Sequence, residues 1–126
     1  MDYQIREIRE SEYPILADFG KAEDWCLVAE TKEKVVGAAW VRIMNDYGHI
    51  DDRTPSFAIL LYEEYRKLGI GTALMETMLQ FLKEKGYKQT SLSVQKENYA
   101  VDMYRKAGFE IVGENTEEYI MICRLQ

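Results

Sequence analysis

The chain has 126 residues, 47% of them apolar and only 2 of them proline, which suits one globular domain with one core and excludes a disordered or low-complexity protein. Sixteen basic residues against twenty-two acidic ones leave a net charge of −6, which opposes general nucleic-acid binding, since that needs a basic face to displace phosphate counterions, and attracts cationic small molecules instead. The 2 cysteines, Cys26 and Cys123, cannot form a disulfide framework and have no zinc-ligand spacing, so they read as reduced strand thiols, with no metal expected.

In chain order, "MDYQIREIRE" is too charged for a signal peptide, and its "YQIREI" reads as a first strand. "ESEYPILADFG" predicts a short helix ended by Gly20. "WCLVAE" and "KVVGAAWVRI" are β-branched apolar runs split by the polar "TKEK", which is a hairpin signal. "NDYGHIDDRTP" predicts a loop. "SFAILLY" is nearly all apolar, as expected for a strand buried on both faces. The apolar runs are far too short to span a bilayer, so a cytoplasmic protein with no membrane partner is expected.

Next comes "YRKLGIG", then Ile70, Leu74, Met78 and Phe81 at helical spacing, with Ala73, Leu79 and Leu82 widening the stripe and Gly86 ending it. "KQTSLSV" is a strand, "NYAVDMYRKA" a short helix ended by Gly108, and "FEIVGE" and "EEYIMICRL" are two further strands. The order β-α-β-β-β-α-β-α-β-β predicts an α/β fold: a mixed sheet, parallel at its centre and flanked by helices, in a single domain over residues 1–126. The apolar "YIMIC" is expected at a sheet edge, where it would invite pairing, and a homodimer is predicted partly on that ground.

A strand, a glycine loop and a helix N-terminus make an anion site, because the first-turn N–H groups point outward and glycine admits close approach. Here the cradle is the backbone of Arg66, Lys67, Leu68, Gly69, Ile70, Gly71 and Thr72, with Arg66 and Lys67 adding charge. A P-loop would need GxxxxGK[ST], which is absent, and a dinucleotide fingerprint fails because Leu74 stands at its third glycine. What remains is RxxGxG after an apolar strand.

"YRKLGIG" and its helix resemble the acyl-CoA-binding motif of the GNAT superfamily of N-acetyltransferases, Q/R-x-x-G-x-G/A. "LSVQKENYAVDMYRKAGFEIVGE" is similar to that family's next strand and helix, with Asn98, Ala100, Tyr104 and Gly108-Phe109 in order. The resemblance covers residues 25 to 125 and implies acetyl-CoA as cosubstrate and a primary amine as acceptor. It implies that Leu61 and Tyr62 line the pantetheine arm and that one of their backbone N–H groups polarises the reacting carbonyl. It also implies that Asn98 bonds the pantetheine or the helix backbone, and that Tyr104 is the general acid. On spacing alone Asn98 is a helix N-cap and Tyr104 a core aromatic.

Candidates for the base are Glu63 and Glu64, beside the loop, and His49, the only histidine. Many family members use ordered water instead. Asp46, Asp51, Asp52, Glu63 and Glu64 predict a cationic acceptor. One region departs from the family: only about sixteen residues (9–24) separate the first strand from "WCLVAE", where two helices are usual, so the N-terminal helical region is shortened. That leaves two alternatives to an enzyme, a non-catalytic acyl-CoA-binding module and a homodimeric scaffold with a vestigial site.

Overall fold

The structure, a computed structural model, describes residues 2–9, 11–12, 25–32, 34–42 and 54–125. Its strands are β1 (Gln4–Glu7), β2 (Trp25–Thr31), β3 (Lys34–Arg42), β4 (Ser56–Leu61), β5 (Gln89–Gln95), β6 (Phe109–Glu114) and β7 (Glu118–Arg124), and its helices are α1 (Ile70–Glu84) and α2 (Ala100–Lys106). The strands form a mixed sheet in the order β1-β2-β3-β4-β5-β7-β6. The helix predicted in "ESEYPILADFG" and the loop "NDYGHIDDRTP" fall almost wholly outside the described residues. No helix among the described residues is long and apolar enough to cross a membrane.

The residues fall into two compact units. One holds β1, β2, β3, β4 from Ala58 onward and α1 as far as Met78; the other holds β4 to Phe57, α1 from Leu79 and all that follows. In the first, β2 and β3 pair antiparallel as the "TKEK" turn predicts, with Leu27 opposite Ala39 and Ala29 opposite Gly37. Cys26, Val28, Val35, Ala38 and Trp40 pack as one cluster, flanked by Ile8, Ala58, Leu60 and Tyr62. Ile70, Leu74, Met75 and Met78 of α1 are fully buried, so Met75 belongs to the buried stripe, whereas Phe81 is only half-buried. β4 also departs from expectation: Ala58, Ile59 and Leu60 are half-buried rather than enclosed on both faces.

β1 is tied down by charge. The Arg6 guanidinium donates to both carboxylate oxygens of Glu12, at 2.8 and 2.7 Å, and to Glu30 at 2.6 Å, while Glu12 also accepts the Arg9 N–H at 2.8 Å. Hydrogen bonding from Arg6, helped by the Arg9 N–H, holds the Glu12 carboxyl down to about 2. A carboxyl depressed on folding adds stability above its ordinary value near 4.5 and loses it as pH falls toward about 2. Glu12→Gln is therefore expected to cost about 1 kcal/mol at neutral pH, allowing for solvent screening, and to flatten the acid limb of stability. Urea melts across that pH range check both.

In the second unit, β5 pairs antiparallel with β7 (Ser91 opposite Ile122) and β7 with β6 (Phe109 opposite Cys123). β4 and β5 run parallel, in register at Ser56 and Ser91, as predicted for the sheet's centre. The carbonyl of Pro55 accepts the Ser91 N–H at 3.1 Å and the Thr90 hydroxyl at 2.8 Å, which fixes the entry to β4. Cys123, on β7, is buried and free, as is Cys26 on β2. "YIMIC" is not an edge: β7 lies between β5 and β6. Strand pairing order is not written in a local pattern, and the edge argument for a homodimer lapses with it. The edge strand on this side of the sheet is β6, where Ile111 and Val112 are exposed and a register shift between Ile111 and Gly113 interrupts the ladder. Such a bulge discourages pairing with a neighbouring chain.

Candidate active site

The first unit brings the residues from Leu61 to Thr72 together as one strand–loop–helix passage. The Tyr62 N–H donates to the Val36 carbonyl at 3.0 Å, so β3 grips the end of β4. Strand residues alternate the direction of their polar groups. The Leu61 N–H and carbonyl therefore face the opposite way, and that carbonyl accepts the Arg66 Nε at 3.2 Å. Of the two N–H groups expected to be available for a reacting carbonyl, the one on Tyr62 is thus already engaged.

Glu63–Tyr65 form a short 3-10 turn whose first carbonyl accepts the Arg66 N–H at 3.2 Å. The Lys34 ammonium lies over the Tyr65 ring, 5.8 Å from its centroid, a cation–π contact that fastens the turn to the start of β3. Glu63 and Glu64 are both exposed. Lys67 then takes a left-handed conformation (φ +64°), which costs a side-chain-bearing residue about 1 kcal/mol. Leu68 is half exposed.

Gly69 follows with φ +86°, and a Cβ built there would meet nothing within 4 Å. Its carbonyl accepts the Ala73 N–H at 3.1 Å, so it caps α1 without a side-chain acceptor. The N–H groups of Ile70, Gly71 and Thr72 consequently have no acceptor inside the helix. No acidic residue occupies that first turn. The result is an open, positively polarised backbone cradle able to hold an anion. Of the two glycines, Gly69 supplies the unusual backbone, while Gly71 lies within the helix.

Asn98 and Tyr104 belong to the second unit. Asn98 Oδ1 accepts the Ala100 N–H at 2.8 Å, an Asx-type bond leading into α2, whose N-cap is Tyr99 and not Asn98. Tyr104 is buried and packs edge-on against Phe57 (centroids 6.4 Å apart) and Phe109 (5.6 Å). Burial pushes its phenol up to about 12, with a smaller push from Tyr99. His49, Asp46, Asp51 and Asp52 lie outside the described residues. An open cavity of about 430 Å³ beside the β6–β7 turn is lined by Gln95, Lys96, Glu97, Thr116 and Glu117 and takes in none of the predicted site residues.

Sequence reasoning missed Gly37. A Cβ there would lie 2.6 Å from Leu61 Cδ1, 3.0 Å from the Leu60 carbonyl and 3.3 Å from Leu74 Cδ1. The signal was present: an isolated glycine inside the strand pattern "VVGAAW" marks a bulge or a close approach.

The Acetyltransferase (GNAT) family model matches residues 2–109. Human N-acetyltransferase 8 is 33% identical over 89 residues, which are 70% of this chain and 39% of that protein, so the chain spans well under half the length of this curated relative. A GNAT-family acetyltransferase from Streptococcus pneumoniae has the same fold, with a TM-score of 0.83 at 18% identity over 99% of this chain and 100% of that one. PaiA N-acetyltransferase from Thermoplasma acidophilum, solved in complex with coenzyme A, gives a TM-score of 0.78 at 16% identity over 98% and 99% of the two chains. With a family match that runs from β1 through the glycine loop and α2 to the first residue of β6, the chain belongs to the GNAT family of acetyltransferases.

Proposed function

We propose that the chain is an acetyl-CoA-dependent N-acetyltransferase acting on a primary amine, in a single domain. The observation that carries this is the cradle at Gly69: positive φ, open space where a side chain would stand, and three first-turn N–H groups without helical acceptors. The residues fit a pyrophosphate-bearing cosubstrate, because a net charge of −6 leaves backbone donors and local cations as the means of holding an anion. Bound acetyl-CoA supplies an acetyl group activated as a thioester.

The chain's own groups do the rest. The Leu61 N–H, facing away from β3, donates to the oxygen that gains charge when an amine attacks the acetyl carbonyl. Arg66 reinforces the anion cradle while its Nε holds the end of β4. Asn98 fixes the turn into α2 by accepting the Ala100 N–H. Tyr104 keeps its proton through the working pH range and gives it to the departing sulfur. The proton lost by the amine passes to water or to the exposed carboxylates Glu63 and Glu64, and those charges favour a cationic acceptor such as a polyamine, an aminoglycoside or a lysine-bearing peptide.

The test is coenzyme A thiol release across cationic, neutral and anionic amines at low and high salt. Cationic amines are expected to react fastest, with kcat/KM falling as salt screens the attraction. A neutral or anionic amine outperforming every cationic one would reject the acceptor class. Acetyl-CoA binding without turnover of any amine would leave an acyl-CoA-binding module.

A further inference from the structure

We propose that Gly37 is a positioning residue for acetyl transfer, a role that rests on reading Leu61–Thr72 as the acetyl-CoA site. Gly37 lies mid-strand in β3 and is not among the glycines with positive φ, so what the position requires is space. A Cβ would come 2.6 Å from Leu61 Cδ1, 3.0 Å from the Leu60 carbonyl oxygen and 3.3 Å from Leu74 Cδ1. The first and third are side-chain ends that can turn aside. The second is backbone, and moving it moves the peptide that joins Leu60 to Leu61, and with it the Leu61 N–H.

The neighbouring bonds carry that shift onward. Val36, the residue before Gly37, holds the Tyr62 N–H at 3.0 Å. The Leu61 carbonyl holds the Arg66 side chain at 3.2 Å. Leu74 sits one turn into the helix that Gly69 caps. The three atoms that a methyl at position 37 would meet first therefore belong to the strand end or to the helix on either side of the cradle. Ala38 and Ala39, next along β3, are fully buried with their methyl groups in place, so burial on this strand does not by itself exclude alanine.

The test compares wild type, Gly37→Ala and Gly37→Ala/Leu61→Val, the last relieving the tightest overlap. Three quantities are measured: acetyl-CoA affinity by calorimetry, kcat with the acceptor KM, and hydrogen exchange at the Tyr62 amide. Gly37→Ala is expected to bind acetyl-CoA at least about tenfold more weakly, with kcat falling by about tenfold or more, as misplacement of a reacting geometry predicts. Its acceptor KM should stay within about twofold, since only the cradle side moves. Tyr62 exchange should quicken, and the double variant should recover most of the affinity.

If Gly37→Ala lowers only the melting temperature, with affinity and Tyr62 exchange as in wild type, the role is overturned. Should Gly37→Ala not fold, the double variant is compared with Leu61→Val alone, where the Leu60 carbonyl still has to give. Weaker acetyl-CoA binding in the double variant supports the role, and equal affinities overturn it. A wild-type chain that binds no acetyl-CoA overturns the reading of the site itself, and this role with it.

Discussion

Tyr104→Phe is expected to slow acetyl transfer by at least ~10²-fold, the lower end of what general acids contribute, while acetyl-CoA affinity and melting temperature change little. The substitution keeps the ring that packs between Phe57 and Phe109 and removes only the hydroxyl. Burial pushes that hydroxyl up to about 12, which has two consequences of opposite sign. The phenol stays protonated at every working pH, so it is always ready to donate. It is also a weaker acid than an ordinary tyrosine, so it donates best at the moment when the sulfur carries most charge. The pH–rate profile follows: a loss of activity through Tyr104 ionisation appears only as pH rises toward about 12. Single-turnover rates measured across pH check both statements. A Tyr104→Phe variant at near wild-type rate, in a step known to be chemistry, would make the tyrosine a packing residue.

Gly69→Ala is expected to weaken acetyl-CoA binding by about tenfold or more, on the order of 1.4 kcal/mol, whereas Gly86→Ala leaves it unchanged. The pair is informative because the two glycines are alike as backbone. Their φ values are +86° and +92°, and a Cβ at either would meet nothing within 4 Å. Alanine therefore brings the same left-handed strain to both, roughly 1–2 kcal/mol of stability. The difference lies in what uses the space. At Gly86 the chain merely leaves the end of α1, with its N–H donated to the Lys83 carbonyl at 3.1 Å. At Gly69 the open space adjoins the start of α1, where a methyl would keep a phosphate oxygen at a distance if the loop holds the cosubstrate. Calorimetry on the two variants, with melting curves to match their stability losses, separates strain from obstruction. Equal affinities in the two would mean that the cradle does not hold the cosubstrate.

The hairpin of β2 and β3 was legible because two β-branched runs flank a polar tetrapeptide, and α1 because its apolar residues recur at helical spacing between Gly69 and Gly86. The strand–loop–helix passage around the glycine loop was legible, since an apolar strand, two glycines and a helical stripe follow one another there. What the pattern did not carry was spatial. β7 was expected at an edge and lies inside the sheet, because pairing order depends on which distant strand a segment meets. "SFAILLY" is apolar throughout yet half-buried at Ala58, Ile59 and Leu60, since apolar composition states what a face tolerates and not what covers it. Lys67 carries a left-handed φ with no glycine to announce it. That the Tyr62 N–H is engaged depends on strand parity, which became readable only from its bond to Val36.

The interior position of β7 has a consequence for synthesis. β5 and β6 are both made before it, yet neither touches the other in the sheet; β6 pairs only with β7, and β5 has β4 as its parallel neighbour and β7 as its antiparallel one. While a ribosome is still producing residues 115–124, β5 and β6 have no antiparallel partner, and Met121 and Cys123, later buried, are still absent. That half of the sheet must form after its final strand has emerged. Until then β6 has no strand to pair with and the apolar surface that Met121 later covers stays open, the condition under which nascent chains aggregate or engage chaperones.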